Sequence, residues 1–136
     1  LREGKTRYIG VSNFGREEMR EGAELCEGKL LTNQVEYSLL ERSPEKNGVL
    51  RYCQENDMVL TAYEPLAKGR LPGQRRYEDI AKKAGLTVAQ LALAWLLSKD
   101  RVITIPKTEN PDHMKENFEA ADLSLDPDIL RELESI

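Results

Sequence analysis

The stretch TRYIGVSNFGREEM (residues 6–19) decides how the rest of the chain is read. Its first half is rich in β-branched and aromatic residues, which favour an extended chain, so a strand is predicted over 6–13. The continuation REEMREGAELCEG (16–28) places Met19, Ala23 and Cys26 on one helical face, with acidic residues early in the helix. Between strand and helix stand Ser12 and Asn13. Two readings of that pair are open. They cap the helix that follows, or they face a ligand from the end of a strand.

The same strand-then-helix grammar recurs along the chain. LTNQVEY (31–37) is a shorter, more polar strand, MVLTAYEP (58–65) a strong one, and RVITIPK (101–107) an apolar run closed by Pro106. Ser43-Pro44 has the form of a cap with proline in the first turn and predicts a helix over 45–56, with Val49, Leu50 and Cys53 as its stripe. RYEDIAKKA (76–84) is a short helix stopped by Gly85. Thr87 with Gln90 has the capping-box pattern and opens AQLALAWLLSK (89–99), the most apolar helix. Asn110-Pro111 and Asp126-Pro127 repeat the cap-plus-proline signal and predict helices over about 111–121 and 127–135. Alternating strands and helices give a parallel sheet with right-handed crossovers. Four such units make a small open sheet or half of a (β/α)8 TIM barrel, and periodicity alone does not choose between them.

Composition narrows the partners. The sequence has 136 residues, 40% hydrophobic and 32% charged, which suits one domain around one core. A net charge of −4 offers no basic field for nucleic acid or an acidic membrane. No apolar run approaches the ~20 residues of a membrane span, and no signal-peptide pattern is present. The opening Leu1-Arg2-Glu3 reads as the interior of something longer. Cys26 and Cys53 fit neither metal spacing nor a disulfide framework, so both are expected to be reduced core thiols in a cytoplasmic protein.

In parallel α/β folds, ligands sit at the carboxyl ends of the strands. The groups there are Ser12-Asn13, Asn33 to Tyr37, Tyr63 to Leu66, and Ile105 to Thr108. Singly, each is ordinary: a cap, a solvated strand face, a core aromatic, a surface lysine. Together they offer amides, hydroxyls, an aromatic ring and a cation, which suit a ligand with an amide, a flat ring and phosphates.

GKTRYIGVSNF (4–14), NQVEYSLLER (33–42), LTAYEPLAKG (60–69), TVAQLALAWLL (87–97) and IPKTENPDHMKEN (105–117), in this order and spacing, resemble the carboxyl-terminal half of the aldo-keto reductases. The resemblance implies strands five to eight of a (β/α)8 barrel that moves hydride between NADPH and a small carbonyl substrate, with no metal. It implies that Ser12, Asn13 and Gln34 hold the nicotinamide carboxamide and that Tyr63 stacks on the nicotinamide ring. Pro65, Leu66, Lys68 and Gly69 resemble the loop that crosses the pyrophosphate. Lys107, Thr108 and His113 resemble the 2′-phosphate and adenosine contacts, and Glu116 and Asn117 those at the adenine edge.

Two positions depart from the family pattern. Glu64 stands where a serine is common, and a carboxylate there repels a pyrophosphate unless it turns away or Lys68 compensates. His113 stands where an arginine often grips the 2′-phosphate. The family's catalytic tyrosine, lysine, aspartate and histidine belong to the other half of its barrel, and their motifs are not matched here, so no catalytic residue is assigned. The chain is therefore expected to be inactive alone, and to pair with a second copy as a homodimer or with the missing half. The alternative is a non-enzymatic module that binds nicotinamide nucleotides or serves in assembly.

Overall fold

A computed structural model describes residues 1–136. Four strands, β1 (Ile9–Ser12), β2 (Leu30–Glu36), β3 (Val59–Tyr63) and β4 (Val102–Thr104), form one parallel sheet in the order β1-β2-β3-β4. Sequential order in a parallel sheet has a topological consequence. Every crossover has the same hand, so the connecting helices gather on one face, as in the wall of a barrel; a doubly wound sheet reverses its order partway.

The helices are α1 (Arg16–Leu25), α2 (Ser43–Lys46), α3 (Val49–Glu55), α4 (Arg75–Ala84), α5 (Val88–Leu97), α6 (Pro111–Glu119) and α7 (Pro127–Glu134). The core lies between sheet and helices. Val35, Leu60 and Ala62 from the strands meet Met19, Leu91, Trp95 and Leu96 from α1 and α5. Trp95 is fully buried, edge-on to Tyr37 with ring centroids 5.5 Å apart.

The opposite sheet face carries mostly small or polar side chains in register, with Ile103 as the apolar end of one row. Ser12, Gln34, Thr61 and Ile103 lie in one row across the four strands. Gly10, Thr32 and Val59 form the row behind, and Glu36 pairs with Tyr63 in front. The hydroxyls of Thr32 and Thr61 are hydrogen-bonded at 2.8 Å. Gly10 has no room for a side chain, since a Cβ there would lie 2.8 Å from Thr32 Cγ2.

Several boundaries differ from the sequence reading. β1 begins at Ile9, not Thr6, because its only partner starts at Leu30. β2, read as the short polar strand, is the longest, because neighbours on both sides pair with it. β4 keeps three residues, since Pro106 lacks the N–H that would extend the ladder. The helix expected over 45–56 is two. Gly48 adopts φ 82° between α2 and α3, and Ser43 is a helical residue rather than the cap, a place Arg42 takes. Cys53 is buried as expected, but α1 ends at Leu25, leaving Cys26 half-buried at its C-cap rather than in the core.

Other local signals hold. Thr87 Oγ1 accepts from Gln90 N, and the Thr87 N–H donates back to Gln90 Oε1. Gly85 closes α4 at φ 68°. Asn110 and Asp126 accept backbone N–H groups at the starts of α6 and α7.

Candidate functional site

The loop after β1 is set by a buried side chain that the sequence reading placed among the strand-end groups but gave no role. Asn33 on β2 is fully buried. Its Nδ2 donates to the Phe14 carbonyl at 2.8 Å, and its Oδ1 accepts from the Phe14 N–H. This clamp fixes the chain immediately after Asn13. Asn13 sits in the left-handed region at φ 59°, a conformation asparagine tolerates better than most residues. Neither Ser12 nor Asn13 caps α1. The cap position is Gly15, whose N–H donates to Glu18 Oε2 at 2.7 Å.

The ligand-facing reading of the pair gains from this. Ser12 Oγ donates to the Gln34 carbonyl at 2.9 Å, and the Asn13 N–H donates to that same oxygen at 2.9 Å. Tyr63 Oη donates to Asn13 Oδ1 at 3.2 Å, so the amide is oriented with its Nδ2 donors unspent on this contact. Gln34 lies half-exposed on the same sheet face, in register with Ser12. Ser12, Asn13, Gln34 and Tyr63 thus form one cluster at the carboxyl ends of three adjacent strands. It holds hydrogen-bonding groups of both senses beside an aromatic ring whose hydroxyl is tethered.

A second group surrounds a cavity of about 420 Å³ between the loop after β3 and the first turns of α5 and α6. Leu66, Gly69, Lys107, Thr108, His113, Glu116 and Asn117 all line it. Its remaining walls include Leu71, Pro72, Val88 and Thr87, none of them read from sequence as a site residue. Thr87 matters most of these, because its hydroxyl donates to Glu116 Oε1 and ties α5 to α6 across the cavity. The capping box at Thr87 was legible; its reach to a residue 29 positions on was not. Lys107 and His113 are exposed at the cavity, Lys107 beside Glu109 at 3.1 Å.

Between the two groups runs a strap, Glu64 to Arg70, with a 3-10 turn over Ala67–Gly69. Glu64, Ala67 and Lys68 all have positive φ, near 50° to 55°. Pro65 and Ala67 are buried beneath the strap, while Lys68 and Gly69 are exposed on it. Lys68 Nζ lies 2.9 Å from Glu64 Oε1, and this contact raises the lysine pKa above its ordinary value. Arg70 donates to the Ala67 carbonyl at 3.0 Å and comes within 4.0 Å of Glu36 Oε1. The cavity does not include Ser12, Asn13, Gln34, Tyr63, Pro65 or Lys68. The strap, not one continuous pocket, joins the two groups.

Comparison with known proteins bears on what such a bipartite site is for. The model of the aldo/keto reductase family matches residues 1–136. The chain belongs to the aldo-keto reductase family. Among solved structures, the thermostable aldo-keto reductase Tm1743, in complex with the inhibitor epalrestat, superposes with a TM-score of 0.91 at 40% identity, over 98% of this chain and 50% of that one. An aldo/keto reductase from Klebsiella pneumoniae, in complex with NADP and acetate, superposes with a TM-score of 0.89 at 36% identity, over 98% and 49%. The methylglyoxal reductase YeaE of Escherichia coli is 35% identical over 131 residues, which is 92% of this chain and 46% of that protein. This aldo-keto reductase chain therefore spans about half the length of the relatives it matches. Proteins of the family use a nicotinamide cofactor, and the donor set described above fits one. Amides stand at one end, an aromatic ring beside them, and a cavity with Lys107 and His113 at the other.

Proposed function

We propose that this chain is the cofactor-holding part of an NADPH-dependent carbonyl reductase, with β1 to β4 acting as strands five to eight of a (β/α)8 barrel. Ser12, Asn13 and Gln34 hold the nicotinamide carboxamide by amide-to-amide and hydroxyl hydrogen bonds, and Tyr63 supports one face of the nicotinamide ring. Pro65, Leu66, Lys68 and Gly69 follow the pyrophosphate. Lys107, Thr108 and His113 receive the 2′-phosphate and its ribose, and Glu116 and Asn117 the adenine. When bound, the nicotinamide supplies a hydride to an aldehyde or ketone carbon. The observation that carries the reading is the cavity, which gathers seven of the expected cofactor contacts from three separated segments. YeaE, a methylglyoxal reductase, and the Klebsiella pneumoniae enzyme with NADP both support the choice of reaction and cofactor.

The proton needed to complete a carbonyl reduction has no donor assigned in this segment, so alone the chain is proposed to bind cofactor without turnover. The acid is proposed to come from a partner that closes the barrel, either its other half or a second copy. The sheet supports this. β1 and β4 each have one open side, and Tyr8, Leu25, Ile103 and Phe118 are exposed at 58%, 85%, 49% and 77%. Titration with NADPH, followed by the cofactor's fluorescence, tests the assignment. Saturable binding is expected, with affinity falling about tenfold in Tyr63→Ala, as loss of a stacked aromatic warrants. Absence of saturable binding by the unaltered chain would remove the reading.

A further inference from the structure

Glu64 is the one residue of the strap whose chemistry opposes the proposed ligand, and its surroundings are unusual. It follows Tyr63 directly and takes a left-handed conformation at φ 51°. One carboxylate oxygen, Oε1, meets Lys68 Nζ at 2.9 Å. The other, Oε2, is shielded from water and has no hydrogen-bond partner. Leaving such an acceptor unpaired is unfavourable, so the carboxylate's position is held by what surrounds it. The backbone holds it. The Ala67 N–H donates to the Glu64 carbonyl at 2.8 Å, and Ala67 is fully buried.

Lys68 is the strap cation placed to meet a diphosphate. Its side chain is 66% exposed, and Glu64 is the carboxylate that contacts the ammonium. Arg70 lies within 4.0 Å of Glu36. Both cations of the strap therefore face carboxylates of the same chain.

We propose that Glu64 is an internal counter-ion that competes with the cofactor's diphosphate for Lys68. The lysine is released only when the diphosphate displaces the carboxylate, and the strap's grip is weakened accordingly. Glu64 is a positioning residue here; it acts through Lys68 and touches no reacting atom. The inference rests on the reading that the strap lies along the diphosphate.

The test compares NADPH affinity in the unaltered chain, Glu64→Gln, Glu64→Gln/Lys68→Ala and Tyr63→Ala, at low and high salt. Glutamine keeps the shape and removes the charge. Glu64→Gln is expected to bind about fivefold tighter at low salt, the scale of one partly exposed ion pair, and the gain is expected to shrink at high salt. The double variant, which removes both charges, is expected to return to the unaltered affinity. A gain in affinity does not arise from misfolding, so the expected result stands clear of folding defects. Equal or weaker binding by Glu64→Gln, when the unaltered chain binds and Tyr63→Ala binds about tenfold more weakly, overturns the role of Glu64 and leaves the cofactor site standing. No saturable binding by the unaltered chain overturns both.

Discussion

Asn13 shows how much one residue does here. Its backbone turns the chain from strand to loop at φ 59°, and its side chain takes the Tyr63 hydroxyl. The two tasks separate under substitution. Glycine adopts the left-handed region freely but has no amide, while alanine loses the amide and also strains the turn by about 1–2 kcal/mol. Asn13→Gly is therefore expected to keep nearly the thermal midpoint of the parent, and Asn13→Ala to melt several degrees lower. Both are expected to bind NADPH at least fivefold more weakly, the loss of a hydrogen bond of about 1 kcal/mol. Thermal denaturation by circular dichroism alongside the fluorescence titration separates the two effects, and unchanged affinity in Asn13→Gly would remove the amide from the site. The polarity of Ser12-Asn13 at a strand end was legible in sequence. The left-handed turn and the buried Asn33 clamp behind it were not, because both depend on a strand that enters 19 or more residues later.

Thr87 links two elements, and its legibility stops at the boundary of its own. Within α5 the hydroxyl accepts the Gln90 N–H as a cap should. Toward α6 it donates to Glu116 at the cavity wall. Thr87→Ala removes both contacts. It is expected to cost about 1 kcal/mol of stability through the lost cap, read from a urea melt. It also leaves Glu116 free to turn, so NADPH binding is expected to weaken by about threefold, a fraction of one hydrogen bond. Thr87→Ser keeps the hydroxyl and is expected to restore both; a serine variant as impaired as the alanine would sink the argument. The pattern is general along this chain. Caps and stops such as Gly85, Asn110-Pro111 and Asp126-Pro127 were readable because each acts within one turn of itself. The length of β2 and the break at Gly48 were not, because partners and a single positive φ decide them. Cys26 misread as core followed from extending α1 one turn too far.

At the scale of the whole molecule, the last helix is locked onto the outer wall by charge rather than by apolar contact alone. Trp95 Nε1 and Lys99 Nζ both reach Glu134 Oε1, at 3.0 Å and 2.7 Å, and Arg42 reaches Glu134 Oε2 and the Leu133 carbonyl. Glu45 completes the cluster through Arg42 and Lys99, and the Arg42 and Lys99 cations lie over the Trp95 ring. Burial pushes the Glu134 carboxyl up, but hydrogen bonds from Lys99, Trp95 and Arg42, with the Lys99 charge, outweigh it and hold its pKa below the ordinary carboxylate value. The sign follows from linkage. A depressed folded-state pKa means the folded chain binds the proton less readily than the unfolded one. The cluster's stabilisation is then fully present above the unfolded carboxylate value, about 4.3, and is lost as pH falls through the folded value. The carboxylate is 45% exposed, so solvent screens part of this contribution. Glu134→Gln is expected to be less stable near pH 7 and to lose less on acidification, so the two stability curves converge as pH falls below the unfolded carboxylate value of about 4.3. Urea melts on both sides of that value measure it. Parallel curves would show that the ion cluster does not hold the last helix, and that packing around Leu133 alone keeps it on the wall.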